Sequence, residues 1–125
     1  MPLAVTVTSF SYDSDTVSLR GTIVPSGTYP TGGDTVNFVA ATYPAGQGPP
    51  AVSGAPLRCE FYSTKYAAAL FIYQWIRGTN QTNQLMGVFT GAAAQSGLAE
   101  FSTAAYSAAM LADTIEFTAI FQKAA

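Results

Sequence analysis

The chain has 125 residues, which is enough for one domain with a substantial core, and its hydrophobic content of 49% excludes intrinsic disorder. Only 10% of the residues are charged, against about 25% in a typical protein, so we expect part of the apolar surplus to lie in contacts with other copies or other proteins. The net charge of −2 and the few scattered cations exclude a stripe that would neutralise several phosphates, so nucleic acid is not expected as a partner.

The chain contains no histidine. The commonest general base, the commonest zinc ligand and the Ser-His-Asp triad are therefore missing, and we predict no enzyme, no catalytic residue, no cofactor and no metal. Two pairs of carboxylates lie close in sequence, Asp13 with Asp15 and Asp113 with Glu116. Either pair would suit half of a calcium site or of a glycosidase pair, but roles in turns and on strand surfaces suit them better. A hydrolase that depends on Asp113 or Glu116 is the weakest alternative.

Residues 1–10 predict an N-terminal strand or extended arm before a single domain over residues 11–125, with Leu3, Val5 and Val7 on one side. The segment would pair within its own sheet or reach a neighbouring subunit as an added strand. It lacks the positive leader and long apolar region of a secretory signal, so the sequence predicts synthesis in the cytoplasm. The longest apolar run, Tyr66 to Tyr73, is far shorter than the ~20 residues of a membrane span, and no membrane is expected as a partner.

A compact corner connects the next two predicted strands, Thr16 to Val24 and Asp34 to Ala40. Both strands alternate apolar and polar residues, the pattern of half-buried strands, and Val17, Leu19 and Ile23 are expected to face inward. In the corner, the proline fixes its own φ, two glycines supply positive φ, and the aspartate is expected to accept hydrogen bonds from backbone N–H groups. The corner residues are Tyr29, Pro30, Gly32, Gly33 and Asp34.

The segment Tyr43 to Pro56 is dense in proline and glycine. No regular element is compatible with that density, which predicts an exposed loop. A long loop in a compact domain is often functional, and this loop has no charged group, so we expect it to contact a partner. The loop residues assigned to that contact are Tyr43, Pro44, Pro49 and Pro50.

The rest of the chain predicts further strands. Leu57 to Thr64 is one, with Cys59 inside it as a buried, inert thiol. Lys65 to Arg77 is apolar on both sides, which is typical of a strand covered on both faces. The polar turn after it predicts a hairpin with the strand Gln84 to Thr90. In that strand Leu85 and Phe89 are expected to face inward. The last expected elements are a short strand at Leu98 to Phe101, one or two helical turns at Thr103 to Met110, and a strand at Thr114 to Gln122.

Roughly seven or eight short strands without a long amphipathic helix predict an all-β fold. The architecture that we predict is a single-domain antiparallel β-sandwich, with a jelly roll as the specific topology. Periodicity alone leaves immunoglobulin-like and barrel topologies open.

The Tyr-Pro-Thr-Gly-Gly-Asp corner, with the Gly-Thr-Ile strand before it and Ile-Glu-Phe-Thr-Ala-Ile-Phe near the C-terminus, resembles small structural proteins of tailed bacteriophages. The resemblance spans roughly Leu19 to Phe121. Such proteins decorate or cement the outside of the capsid. The resemblance implies a virion protein on the capsid surface, the major capsid protein as partner, and a homotrimer, with a homodimer still open. The arm residues Leu3, Val5 and Val7 and the four loop residues are the expected contacts.

A small carbohydrate-binding module on a phage tail or surface is the alternative function. Alternate aromatic residues on one strand face, Phe71, Tyr73 and Trp75, present coplanar rings. The candidates for stacking on sugars are Tyr73 and Trp75, together with Tyr29. Packing in a core or an interface suits such rings better.

Overall fold

The protein is all-β, and its strands pair antiparallel. The computed structural model describes residues 3–63, 71–91, 98–100, 104–106, 108–111 and 114–124. Within these residues there are ten strands and one four-residue helix, so the predicted all-β class is confirmed. In chain order the elements are β1 (Ala4–Tyr12), β2 (Thr16–Val24), β3 (Thr28–Tyr29), β4 (Asp34–Val36), β5 (Arg58–Ser63), β6 (Phe71–Ile76), β7 (Gln84–Gly91), β8 (Leu98–Glu100), β9 (Ala104–Ala105), α1 (Ala108–Leu111) and β10 (Ile115–Gln122).

The strands form three sheets within the described residues. The first sheet has the order β1-β2-β10-β5, the second has the order β4-β7-β6 with β8 also beside β7, and β3 and β9 form a two-stranded ribbon. The last strand of the chain therefore lies between β2 and β5 and joins segments that are distant in sequence. β1 and β2 pair as sequence neighbours, and so do β6 and β7, which confirms the predicted hairpin.

Alternation along the strands directs one face of each four-stranded sheet into a common hydrophobic core. The inward residues predicted for β2 are buried, and in β10 every second residue from Ile115 to Phe121 is buried. The second sheet contributes Met86 and Val88 to the same core. Phe38 joins them, because its ring centre lies 5.5 Å from that of Phe117 and 5.4 Å from that of Phe121. Each such large apolar side chain contributes roughly 1.5–3 kcal/mol on burial, so the shared core is a main source of stability.

A β-bulge in β1 changes which side chains face the core. The pairing of β1 with β2 shifts register between Val7 and Ser9, and the hydroxyl of the intervening Thr8 donates to the carbonyl oxygen of Arg20 at 3.2 Å. Before the bulge the odd-numbered side chains are buried. After it, Phe10 lies opposite the buried Leu19, so the even-numbered side chains point to the core side of the sheet.

The N-terminal segment is part of the protein's own sheet. β1 pairs with β2, and its other edge is bridged by the chain after β4, since the Val7 N–H donates to the Thr42 carbonyl at 2.8 Å and the Thr42 N–H donates to the Val5 carbonyl at 2.9 Å. Leu3, Val5 and Val7 are 5%, 5% and 2% exposed. The prediction that these three side chains contact a partner is wrong, because they fill the core.

The strand predicted over Asp34 to Ala40 ends early, at Val36. The side-chain oxygen of Asn37 accepts hydrogen bonds from the N–H groups of Val39 at 3.0 Å and Ala40 at 2.9 Å. These local bonds compete with strand pairing and turn the chain, as asparagine side chains often do.

In β7 the predicted inward side is wrong. Leu85 and Phe89 are only partly buried, whereas Gln84 occupies an inward position and is fully buried. Its side-chain oxygen accepts the Trp75 indole N–H at 2.8 Å and the Gly78 N–H at 2.9 Å, and its amide donates to the Asn80 carbonyl at 2.6 Å. A polar side chain is tolerated in the core because these hydrogen bonds satisfy it.

Other expectations have mixed outcomes. Ile72 in β6 is 50% exposed, so this strand is not covered on both faces. Cys59 is buried, and burial raises the pKa of its thiol to about 12, as expected of an inert cysteine.

The predicted helical turns near Thr103 are in part the strand β9, followed by α1. The start of the predicted strand at Lys65 and the carboxylate of Asp113 lie outside the described residues.

The bulged strand β1 comes so close to β2 that position 21 has no room for a side chain, and Gly21 has none. A Cβ there would overlap the carbonyl oxygen of Thr6 and would lie 2.9 Å from the Phe117 ring. We expect Gly21→Ala to lower the free energy of unfolding by about 3 kcal/mol or more, because backbone atoms cannot yield as a flexible side chain can. Urea denaturation measures the loss. Gly48→Ala is the matched control, since its Cβ would meet no atom within 4 Å. Equal stabilities of the two variants would contradict this account.

Candidate functional site

The corner between β2 and β4 has the geometry that its sequence predicts. Gly32 and Gly33 have φ values of 102° and 115°, which favour glycine. The Gly33 N–H donates to the Pro30 carbonyl at 3.1 Å and closes the turn. Asp34 is 3% exposed, and its Oδ1 accepts the Thr35 N–H at 2.9 Å. Local hydrogen bonds therefore fix the corner where β4 begins.

The side chain of Tyr29 fills a gap in the second sheet. β7 pairs with β4 near one end and with β8 near the other, which leaves Val88 without a strand partner on that side in the described part of the sheet. The Tyr29 hydroxyl accepts the Val88 N–H at 3.1 Å and donates to Oε2 of Glu100 at 2.6 Å. The same carboxylate oxygen accepts the Gly32 N–H at 2.5 Å. A phenol thus satisfies a backbone donor that would otherwise lack a partner, and it links β8 to the corner.

A second tyrosine, Tyr106, completes this tyrosine–carboxylate cluster of Tyr29, Asp34, Glu100 and Tyr106. The Tyr106 hydroxyl donates to Oδ2 of Asp34 at 2.6 Å, and the two tyrosine rings meet edge to face with centres 5.9 Å apart. Burial, followed by the hydrogen bond to Glu100, raises the pKa of Tyr29 to about 12. Burial and Asp34 raise the pKa of Tyr106. Phenols that hold their protons this strongly are poor acids, so the cluster suits structural support better than proton transfer.

The proline-rich loop is fixed to the end of β10. The Leu57 N–H donates to the Ile120 carbonyl at 2.7 Å, the Ser53 N–H donates to the Gln122 carbonyl at 2.9 Å, and the Ala124 N–H donates to the Ala51 carbonyl at 3.3 Å. Most residues of the loop are exposed, as predicted, but Pro56 is buried. The loop therefore presents an exposed surface whose second half, from Ala51 onward, is held in place by backbone hydrogen bonds.

An aromatic–proline groove lies between this loop and the end of β1. It is a shallow, open depression of about 560 Å³, and it is lined by Phe10, Tyr12 and the loop from Gln47 to Ala51. The Phe10 ring meets the Tyr12 ring edge to face with centres 5.6 Å apart. Tyr12 is 56% exposed, and Nζ of Lys123 lies 5.4 Å from its ring centre. The groove therefore combines exposed aromatic and proline surfaces with the ammonium group of Lys123 at its edge.

The structure brings together two of the four loop residues that the sequence assigned to partner contact. Pro49 and Pro50 line the groove. Tyr43 supports it from below, since its hydroxyl donates to the Phe38 carbonyl at 2.6 Å and its ring centre lies 6.2 Å from that of Phe10. Pro44 is half-buried and does not line the groove.

Sequence reasoning missed Phe10 and Tyr12, the aromatic wall of the groove. The missed signal is a change of phase, because Val5 and Val7 are odd-numbered apolar residues whereas Phe10 and Tyr12 are even-numbered. One extra residue between two alternating runs is the sequence mark of a β-bulge.

The predicted sugar-stacking rings do not form a platform. Tyr29 is fully buried and Tyr73 is 5% exposed, so neither ring presents a face to a ligand. The Trp75 indole is half-buried and bonded to Gln84. The stacking role predicted for Tyr29 and Tyr73 is therefore wrong, and that of Trp75 stays a prediction.

The close carboxylates do not form a common site in the described residues. Asp13 lies in the β1-β2 turn, where Oδ2 accepts the Thr16 hydroxyl at 3.4 Å, and Glu116 lies on the outer side of β10. Among the described residues no group of three or more His, Cys, Asp or Glu side chains is arranged to hold a metal ion. In the same part of the chain no helix has the length and apolar character to cross a membrane.

Comparison with known proteins returns no matching family, no matching curated protein and no matching solved structure.

Replacement of Tyr29 by phenylalanine tests the gap in the second sheet. Tyr29→Phe removes the acceptor of the Val88 N–H and the donor to Glu100, and we expect a loss of about 1–3 kcal/mol in the free energy of unfolding, because a buried backbone donor is left unsatisfied. Urea denaturation measures it. Tyr62→Phe is the matched control, since Tyr62 is 43% exposed. A Tyr29→Phe variant as stable as Tyr62→Phe would contradict the role of the phenol.

The tyrosine–carboxylate cluster also predicts how stability depends on pH. The pKa of Tyr29 is raised from 10.0 to about 12, so its contribution is complete below pH 10 and is lost as the pH rises through about 12. The pKa of Glu100 is lowered from 4.5 by its bonds to Tyr29 and Gly32, so its contribution is present above pH 4.5 and is lost as the pH falls through the lowered pKa. Urea denaturation midpoints measured across the pH range test the alkaline and the acidic prediction. Unchanged stability between pH 10 and pH 12 would overturn the alkaline prediction.

Proposed function

We propose that this protein is a non-enzymatic structural protein of a tailed-phage virion, a decoration or cement protein that binds the outside of the capsid and stabilises it. Its partner in this proposal is the major capsid protein. The resemblance of the Tyr29 to Asp34 corner and of the last strand supports the class of protein. The observation that carries the binding role is the aromatic–proline groove.

The groove has the character of a protein-binding surface. Aromatic residues are enriched at protein interfaces, and exposed tyrosine is a frequent energetic centre of them. Pro49 and Pro50 are rigid, and the hydrogen bonds of Ala51 and Ser53 fix the loop just after them before any partner arrives. A surface that is already ordered loses little conformational entropy on docking. Binding to the assembled shell would stabilise the shell, as any ligand stabilises the state that it binds.

The contact residues in this proposal differ from those predicted from sequence. Phe10 and Tyr12 replace Leu3, Val5 and Val7, because the latter three are core residues. Deletion of the first strand is therefore unsuitable as a test of binding, since it would remove part of the core and unfold the subunit. Point substitutions in the groove are the appropriate test.

We also infer that the two four-stranded sheets form a jelly-roll-like sandwich. The inference is supported by the shared core, to which both sheets contribute side chains. It is supported further by the position of β10 between β2 and β5, a long connection of the kind found in Greek-key folds. An experimental structure tests the topology.

Self-association is part of the proposal. The resemblance favours a trimer and leaves a dimer open, and the low charge of the chain favours contacts between copies in general. Large hydrophobic side chains remain exposed in several places. They are Tyr12, Val24, Val39, Leu57, Tyr62, Ile72 and Leu111.

Binding to purified phage heads that lack this protein tests the function and the groove together. We expect Tyr12→Ala and Pro49→Ala each to weaken binding about tenfold or more, because each truncates the exposed wall of the groove. Ile72→Ala is the matched control, since Ile72 is 50% exposed, Tyr12 is 56% exposed, and Ile72 lies on the other sheet.

The outcomes separate the two parts of the proposal. Wild-type binding by both groove variants would exclude the groove as the contact. Failure of the wild-type protein to bind heads, or virions that carry no copies of it, would overturn the function itself.

A further inference from the structure

The outer face of the first sheet is polar and rich in hydroxyl groups. It consists of the side chains of β1, β2, β10 and β5 that point away from the core. After the bulge in β1, Ser9 joins this face, opposite Arg20 of β2. In the neighbouring strand Thr118 lies opposite Arg20, and Glu116 lies opposite Thr22.

Two opposite charges on this face have no partner in the described structure. Arg58 and Glu60 form an exposed ion pair at 3.3 Å. Arg20 and Glu116, in contrast, make no ion pair and no side-chain hydrogen bond with any residue that the structure describes. They are diagonal neighbours on β2 and β10, a relation that places residues about 7–8 Å apart. Among the described residues the face thus carries one unpaired cation and one unpaired anion side by side.

The surface around these charges is hollowed rather than ridged. A depression of about 390 Å³ is lined by Ser9, Ser18, Arg20 and Thr118 among others, and another of about 420 Å³ is lined by Arg20, Thr22 and Glu116 among others. The two depressions share Ser9 and Arg20. They leave room for side chains of a second surface to enter between the outward-pointing side chains of the sheet.

We propose that this outer face binds the same face of a second copy about a two-fold axis, with Arg20 of each copy beside Glu116 of the other. In such a dimer the two-fold axis lies between the two faces, above the midpoint of Arg20 and Glu116 and at right angles to the line that joins them. Each of these residues then lies opposite the other residue of the second copy. The unpaired cation and the unpaired anion are therefore complementary to a second copy of themselves, which is the defining property of an isologous interface. The surrounding hydroxyl groups supply neutral hydrogen bonds to such a contact.

The size of the face is sufficient for a modest dimer. Four strands at about 4.8 Å spacing and about eight residues at about 3.4 Å each give an area of roughly 500 Å² per copy. Two copies would bury about 1,000 Å², the lower limit of specific interfaces. The dimer is therefore expected to dissociate on dilution, and to weaken at high salt because its central pairs are ionic. The inference does not rest on capsid binding, which uses the groove.

Variants in which the charges of Arg20 and Glu116 are reversed test the proposal. Sedimentation of the full chain over a range of concentrations measures the mass of the assembly. We expect the wild-type protein to approach twice its mass of 13.0 kDa. Arg20→Glu and Glu116→Arg should each weaken self-association at least about tenfold, because each places like charges together at both pairs. The double variant, Arg20→Glu with Glu116→Arg, should restore it to within about threefold, because the pairs are rebuilt with exchanged signs.

Arg77→Glu is the matched control, since Arg77 is an exposed arginine that follows β6 in the second sheet and should leave the association unchanged. Circular dichroism and thermal unfolding establish that each variant is folded. A monomeric wild-type protein, a trimer, or a dimer that both single variants leave intact would overturn the proposal. Failure of the double variant to recover association would overturn the reciprocal pairing. A groove variant that loses binding to phage heads but still forms the dimer, or a charge variant that loses the dimer but still binds heads, separates this inference from the proposed function.

Discussion

The hydrogen bonds of the Tyr29 hydroxyl connect parts of the chain that strand pairing leaves apart. One side of β7 is shared between β4 and β8, and the backbone between those two partners would be unsatisfied without the phenol. Because a tyrosine ring is rigid, it also fixes the distance from the corner to Glu100. The Gly32 N–H uses the same carboxylate, so the turn, the short strand β8 and the edge of β7 all depend on the contact between Tyr29 and Glu100.

The elements that sequence predicts well are those whose alternation follows from burial of one face. β2 and β10 have inward residues at every second position, and both strands were predicted, β2 with the correct side inward. β7 was predicted with the wrong side inward because Gln84 is polar. Its place in the core depends on Trp75, Gly78 and Asn80, and hydrogen bonds to these groups cannot be inferred from hydropathy. The partner that β1 pairs with is likewise a tertiary property, so the choice between an arm and a sheet strand stayed open.

The candidate site was predictable in part. Glycine and proline chemistry predicted the corner and the exposed loop, because these residues act through local backbone geometry. The groove needed a second wall, and that wall is formed by Phe10 and Tyr12 only after the bulge has changed their direction. The loop residues were therefore identified without the aromatic residues that they face. The proposed capsid partner comes from the resemblance, and the proposed self-contact comes from two charges that only the sheet register places side by side.

The bulge at Thr8 makes the pairing of β1, and not only its composition, a determinant of two surfaces. In a regular strand Thr8 would take the place of Ser9 opposite Arg20, so Phe10 and Tyr12 would point to the outer face of the first sheet, and Ser9 and Ser11 would lie beneath the proline-rich loop. The aromatic groove and the hydroxyl-rich face would then exchange character at that end of the strand in a single step. A change that abolishes the bulge would therefore alter both surfaces at once, whereas replacement of one outward side chain alters only one of them.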